Sequence, residues 1–229
     1  MKNLVVLTGA GISAESGLRT FRDMGGLWEQ YDVMEVCSPQ GWDRNPELVL
    51  DFYNMRRKQL LDAKPNNAHY GLADLQRFFN VHIITQNVDN LHEMAGSKDV
   101  LHLHGELMKV RSTGDESLIY DLNPANYETH MGDSCEKGFQ LRPHIVFFGE
   151  AVPAIEDAIP ICEKADIFVV IGTSMNVYPA AGLIHYAPKD IPLFLMDPDP
   201  AGLLYKTEVI KSKAAAGIDI LKQKLMQHV

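Results

Sequence analysis

Short apolar runs rich in Val, Ile and Leu recur along the chain, at Asn3–Thr8, Val81–Thr85, Val100–His104, His144–Phe148, Ile167–Ile171 and Pro192–Met196. A strand with one wet face alternates apolar and polar residues. A run that is apolar throughout must be covered on both faces, the condition of a parallel strand between helical layers. Amphipathic stretches at Pro46–Leu61, Asn67–Phe79, Ala154–Lys164 and Ile218–Met226 supply the helices. The alternation predicts a doubly wound α/β fold around a mostly parallel, Rossmann-like sheet. Residues 25–63 and 106–143 interrupt it without a strong strand of their own. They read as a smaller domain formed by two insertions, leaving 1–24, 64–105 and 144–229 for the large domain.

A chain of 229 residues suffices for one such domain with a small inserted module. Its formal charge of -9 and scattered Lys and Arg give no basic face for nucleic acid, and Lys-rich protein tails are the better electrostatic partner. Cys37, Cys135 and Cys162 lack paired spacing, which predicts inert thiols in a reducing compartment. The apolar stretch before the first glycines is only five residues long, too short for a secretory leader or a membrane span. A cytoplasmic monomer with no membrane attachment is expected.

Directly after the first run, Gly9-Ala10-Gly11-Ile12-Ser13-Ala14 satisfies G-x-G-x-x-A at an expected strand-to-helix turn. Glycines there let the backbone approach a pyrophosphate seated on a helix N-terminus. A tight turn with no ligand is the plain alternative, and position at the opening of the first βα unit favours the ligand. An ordinary dinucleotide fold also places an acidic residue on the ribose about 20 residues later, whereas the next strand here begins only at Val81. A standard dehydrogenase is thereby disfavoured. Gln86, Asn87 and Asp89 follow the end of the second run, where α/β folds bind ligands; alone, an Asn-x-Asp pair reads as a helix cap. His104 ends the third run and could take a proton near neutral pH. His102 lies two residues earlier on the same strand face, so a metal pair is also open.

Taken together, the run Gly9-Ala10-Gly11-Ile12-Ser13-Ala14-Glu15-Ser16-Gly17-Leu18-Arg19-Thr20-Phe21-Arg22 resembles the first signature of the sirtuin family. Thr85-Gln86-Asn87-Val88-Asp89-Asn90-Leu91-His92, His104-Gly105-Glu106-Leu107, Arg142-Pro143-His144-Ile145-Val146-Phe147-Phe148-Gly149-Glu150 and Gly172-Thr173-Ser174 resemble its further signatures in family order. The resemblance implies a protein-lysine deacylase that consumes NAD as co-substrate and acts on acyl-lysine proteins. It implies cofactor contacts from Gly9, Ala10, Gly11, Ser13, Ala14, Phe21, Arg22, Gln86, Asn87, Asp89, Gly172, Thr173 and Ser174. It makes Asn87 and His104 catalytic, His104 as general base, and leaves His102 structural. The acyl-lysine carbonyl oxygen would attack the nicotinamide ribose and expel nicotinamide; His104 would then activate a ribose hydroxyl, giving free lysine and O-acyl-ADP-ribose.

Phe148-Gly149-Glu150 and Met175-Asn176-Val177 resemble the two family loops that clamp the peptide as an added strand. Phe21, Val146 and Phe147 are candidates for the apolar tunnel around the lysine stem. Asp197 stands where the family usually has Asn; it can accept from ribose hydroxyls but cannot donate. Ala214 or Ala215 flanks the adenine, with no choice between them. An ADP-ribosyltransferase or an idle NAD or ADP-ribose sensor are the rival readings of the same site.

Within the Pro46–Leu61 helix, Tyr53 shares a face with both Arg56 and Arg57, so phenol and guanidinium could grip one carboxylate. The sirtuin subgroup that removes succinyl and malonyl groups carries Tyr-x-x-Arg, which selects Tyr53 and Arg56. Most sirtuins also hold a structural zinc on two Cys-x-x-Cys pairs, where this chain has only Cys135. The expectation is a zinc-free module held by apolar packing of Leu118, Ile119, Tyr120, Leu122, Tyr127 and Phe139.

Overall fold

A computed structural model describes residues 1–18, 31–173, 178–200 and 206–229. Along the chain run β1 (Asn3–Thr8), the short helices α1 (Val33–Val36) and α2 (Pro39–Arg44), α3 (Pro46–Asp62), α4 (Asn67–Leu75), β2 (Asn80–Thr85), the single turn α5 (Leu91–Met94), β3 (Val100–His102), β4 (Gly105–Ser112), β5 (Ile119–Asp121), β6 (Leu141–Ile145), α6 (Ile155–Glu163), β7 (Ile167–Ile171), β8 (Leu193–Met196), β9 (Thr207–Ile210) and α7 (Ala214–Leu225).

Six strands form one sheet in the order β3-β2-β1-β7-β8-β9, every neighbouring pair parallel. Successive residues of each strand feed opposite layers. Leu4, Val6, Ile83, Val169 and Ile171 join the apolar layer under α4 and α7. Val5, Leu7, Ile84, Phe168 and Val170 join the layer that includes Ala158 and Cys162 of α6. Both faces are dry, hence the apolar runs. Each such side chain stabilises the fold by about 1.5–3 kcal/mol through burial. The chain moves outward from β1 to β3 and returns to β7 beside β1, so connections diverge between the C-terminal ends of β1 and β7. Open α/β sheets bind ligands in the crevice at that switch point.

A separate antiparallel sheet has the order β5-β4-β6. It corrects two readings. The run at His144–Phe148 is no strand of the parallel sheet, because β6 spans Leu141–Ile145 and pairs with β4. The segment 106–143 does carry strands; β4 escapes the period-2 pattern because its register to β6 shifts between Gly105 and Val110. β9 was equally silent, being a short edge strand, Thr-Glu-Val-Ile, with little apolar content.

Helix starts follow local chemistry. Asn45 Oδ1 accepts from Leu48 N–H ahead of Pro46 at the first turn of α3, and Asn66 forms a capping box with His69 on α4. Against the small sheet, Phe52, Tyr53 and Leu60 of α3 share an apolar cluster with Leu107, Ile145 and Phe147.

Outer parts of that sheet are held differently from expectation. None of Leu118, Ile119, Tyr120, Leu122, Tyr127 and Phe139 is buried, and Ile119 and Phe139 are each 44% exposed. Polar contacts hold the segment instead. Asn54 Nδ2 donates to the Thr129 carbonyl at 2.9 Å and its Oδ1 accepts from Thr129 N–H at 2.9 Å. Arg57, fully buried, donates to the Leu107 carbonyl at 2.9 Å and to Asn54 Oδ1 at 2.8 Å. Cys135 Sγ donates to Ser112 Oγ at 3.2 Å. With so few apolar neighbours on an outer hairpin, directional bonds are what remains to fix it. Among the described residues no three His, Cys, Asp or Glu cluster to hold a metal ion, and no helix is long and apolar enough to cross a membrane.

Candidate active site

The switch point opens into a cavity of about 780 Å³ that extends toward α3 and the small sheet. Its size lies in the range of pockets that enclose cofactors. Its floor is a meeting of two loops. Gly9 N–H donates to the Ile171 carbonyl at 3.0 Å and Gly11 N–H to the Gly172 carbonyl at 2.9 Å. A Cβ on Gly11 would stand 2.7 Å from Gly172 Cα. The glycines therefore let two backbones meet, a need that comes before any pyrophosphate. The expected helix at this turn is replaced by two short 3-10 turns, Ala10–Ile12 and Ala14–Ser16.

Behind the loop, polar side chains fix one another. Asn87 Nδ2 donates to the Gly9 carbonyl and to Ser13 Oγ, both at 3.2 Å. Ser13 Oγ donates to Asp89 Oδ2 at 3.0 Å, and Asp89 Oδ1 accepts from Leu91 N–H at 3.2 Å. Burial raises the Asp89 carboxyl above its usual range, against the hydrogen bonds from Leu91 and Ser13. Two further histidines back this network. His69 and His92 sit edge to face at 5.0 Å, both fully buried. Burial pulls His69 down to about 4 and His92 well below its ordinary value, so both are neutral. His69 Nδ1 accepts from Asn66 N–H, which ties the α4 cap to the site.

His102 and His104 are neighbours with opposite chemistry. His104 Nδ1 lies 3.0 Å from the Gln86 carbonyl, which can only accept, so Nδ1 carries the proton and Nε2 keeps its lone pair. Burial lowers its pKa, opposed by that hydrogen bond. A neutral imidazole with a free lone pair on the cavity wall is the state a general base requires. His102 instead lies 2.9 Å from the Asn87 carbonyl and 2.8 Å from Glu93 Oε1. Burial would lower it, but the Glu93 bond and charge prevail and raise its pKa. Both ring nitrogens donate only in the imidazolium, which suits a structural brace. Gly105, at φ +82°, then turns the chain from β3 into β4; a Cβ there would meet the His144 carbonyl oxygen at 2.0 Å.

Tyr53, Arg56, Val146, Phe148 and Gly149 also line the cavity, and Val146 N–H donates to the His104 carbonyl at 3.0 Å. Arg57, which spacing alone could not separate from Arg56, faces inward and does not line the cavity. The loop after β6 is clamped by charge. Arg142 pairs with Glu150 at 2.7 Å and lies 3.9 Å over the Phe147 ring, while Glu150 Oε2 also accepts from Phe147 N–H at 2.7 Å. Burial would raise the Glu150 carboxyl; the Arg142 bond, the Phe147 N–H and the two arginine charges hold it low.

At the far end lie Asp197 and Asp199, with the Asp199 N–H donating to Asp197 Oδ1 at 2.8 Å. Ala214 lines the cavity and Ala215 does not; the Ala215 N–H donates to Glu15 Oε2 at 2.8 Å, binding the glycine loop to the start of α7. Gly9, Ala10, Gly11, Ser13, Ala14, Gln86, Asn87, Asp89, His104, Gly172, Thr173 and Asp197 all line the one cavity. Phe21, Arg22, Ser174, Met175, Asn176 and Val177 lie outside the described residues. Cys37, Gln59, Tyr178 and Asp199 also line the cavity without a local signal in the sequence, as does Glu15, which stands within the glycine-rich run but has no role assigned from sequence. This donor set fits NAD: amides and hydroxyls near His104, and carboxylates able to accept from ribose hydroxyls at the other end.

A parallel α/β sheet with such a site at its switch point, beside a small sheet carrying the other wall, defines a dinucleotide-using enzyme architecture. Residues 9–179 match the Sir2 family. A protein of Bacteroides thetaiotaomicron described as an NAD-dependent protein deacylase is 57% identical over 99% of both chains. One of Helicobacter pylori with the same description is 51% identical over 99% of both. A solved Sir2 homologue in complex with NAD is 37% identical, with a TM-score of 0.87 over 99% of this chain and 90% of that one. The chain belongs to the Sir2 family.

Proposed function

We propose that the protein is an NAD-dependent protein-lysine deacylase that removes succinyl and malonyl groups in preference to acetyl groups. Family membership, full-length likeness to relatives described by that activity, and the His104 environment support the reaction. NAD supplies the ribose carbon that receives the acyl oxygen and the hydroxyl that finally takes the acyl group. The chain supplies position and a proton sink. Asn87, with its amide protons given to Gly9 and Ser13, keeps Oδ1 as a fixed acceptor. His104 takes the ribose hydroxyl proton on Nε2 while Nδ1 stays anchored to Gln86. Orientation of this kind is worth up to about 7–11 kcal/mol of barrier.

The observation that carries the acyl preference is that Tyr53 and Arg56 line one wall of the cavity that also holds His104. A phenol and a guanidinium together suit an acyl group ending in a carboxylate, which Arg grips in two bonds. The test is NAD-dependent turnover of matched succinyl-lysine and acetyl-lysine peptides, followed by mass spectrometry, for wild type, His104→Ala and Arg56→Met. We expect loss of both activities in His104→Ala and selective loss of succinyl turnover in Arg56→Met. Equal effects of Arg56→Met on both peptides would reject the preference, and labelled ADP-ribose on protein without deacylation would point to a transferase.

We also infer a small module that folds without zinc, supported by the Ser112 bond that engages Cys135 and by the polar ties of Asn54 and Arg57. Stoichiometric zinc in chelator-washed protein would reject this.

A further inference from the structure

Tyr53 is 1% exposed, and among the described residues its hydroxyl has one hydrogen-bond partner, Cys37 Sγ at 3.1 Å. Cys37 also lines the cavity and is held on both sides of its backbone. Its N–H donates to the Val33 carbonyl at 2.8 Å, closing α1, and its carbonyl accepts from Phe148 N–H at 2.8 Å. Phe147 stacks on the Tyr53 ring at 6.0 Å. Sulfur, phenol and the loop after β6 therefore form one unit.

A phenol has a single proton to give and can also accept. If Tyr53 O–H points at the sulfur, none is left for a ligand. If the thiol donates instead, the phenolic proton is free to turn into the cavity. Burial pushes the Cys37 thiol up, against the Tyr53 bond and the Arg56 charge, which keeps it in the S–H donor form.

We propose that Cys37 is a positioning residue for acyl selection: its S–H donates to the Tyr53 hydroxyl oxygen, directing Tyr53 O–H to the carboxylate of a dicarboxylic acyl group. This rests on the acyl preference proposed above. The effect would not be one of pocket size alone, and near-isosteric variants separate the two.

The experiment measures kcat and KM for succinyl-lysine and acetyl-lysine peptides at saturating NAD, for wild type, Cys37→Ser, Cys37→Val and Cys37→Ala. Serine keeps a donor, so its succinyl-to-acetyl ratio of kcat/KM should stay within about twofold of wild type. Valine fills similar space without a donor, so that ratio should fall about three- to tenfold, the worth of one hydrogen bond, carried mainly by succinyl KM. If the valine variant does not fold, the alanine variant carries the same comparison. A valine or alanine variant with wild-type ratio, or a serine variant as impaired as valine, overturns the proposal while leaving the acyl reading intact. Wild-type protein with no preference for the succinyl peptide overturns both.

Discussion

His104 can act as a base only while Nε2 is unprotonated, and burial places its pKa below the ordinary value of 6.5. Its pH response therefore has a fixed sign: kcat/KM should rise with pH through one ionisation below pH 6.5 and stay flat above it, and a limb centred well above 6.5 would exclude His104 as the titrating group. Gly11 makes a different demand. Adding a Cβ drives it to 2.7 Å from Gly172 Cα, backbone against backbone, where no side chain can swing aside. Gly11→Ala should cost about 2 kcal/mol or more through overpacking, lowering Tm by about 4–8 °C and weakening NAD binding in the same protein. Thermal melts with and without NAD check both effects.

Within α3, adjacent arginines should give opposite phenotypes. Arg57 is wholly buried, and burial lowers its pKa to about 10; its Nη2 has no partner among the described residues. It bonds Leu107 on β4 and Asn54 on its own helix, so Arg57→Met leaves acceptors empty and should cost about 2–4 kcal/mol in denaturant unfolding. Arg56→Met should leave the unfolding midpoint close to wild type. Swapped phenotypes would mean that the inward and cavity-facing roles are reversed. The loop after β6 shows the same division between holding and acting. Arg142 and Glu150 brace Phe147 from behind, so Glu150→Gln should loosen the wall and raise peptide KM by about three- to tenfold with kcat less affected, measured on any acyl peptide.

Across the whole molecule, acid is the predicted weakness. His69 folds with a pKa of about 4 against 6.5 for the free side chain, and His92 lies lower than ordinary as well. The unfolded chain binds these protons first. The neutral forms contribute their full stability above pH 6.5, and it is lost as pH falls from 6.5 toward 4, by about 3 kcal/mol for His69 alone. Asp89, raised by burial, offsets part of this as it gains its proton. Urea midpoints at pH 7 and pH 4.5 should show the loss, and a midpoint unchanged across that interval would contradict the buried neutral pair. The parallel sheet was readable from its runs because two dry faces leave Leu4–Leu7 or Ile167–Ile171 no polar alternation to hide behind. β4 was not, since its register shift breaks the period, and neither was β6, whose apolar end reads the same in either kind of sheet. The glycine turn could be read from local spelling at a strand end. Asn87, Asp89 and His104, also at strand ends, were singled out only by the family resemblance, since their own spacing reads equally as a helix cap and a structural histidine. Cys37 beside Tyr53 and Glu15 beneath Ala215 could be read from neither, since the latter pair is 200 residues apart in sequence. Local sequence sets backbone geometry and burial period, and so it determined most of the parallel strands and the glycine loop; which side chains meet across the cavity depends on how separate elements pack, and only the tertiary structure decided that.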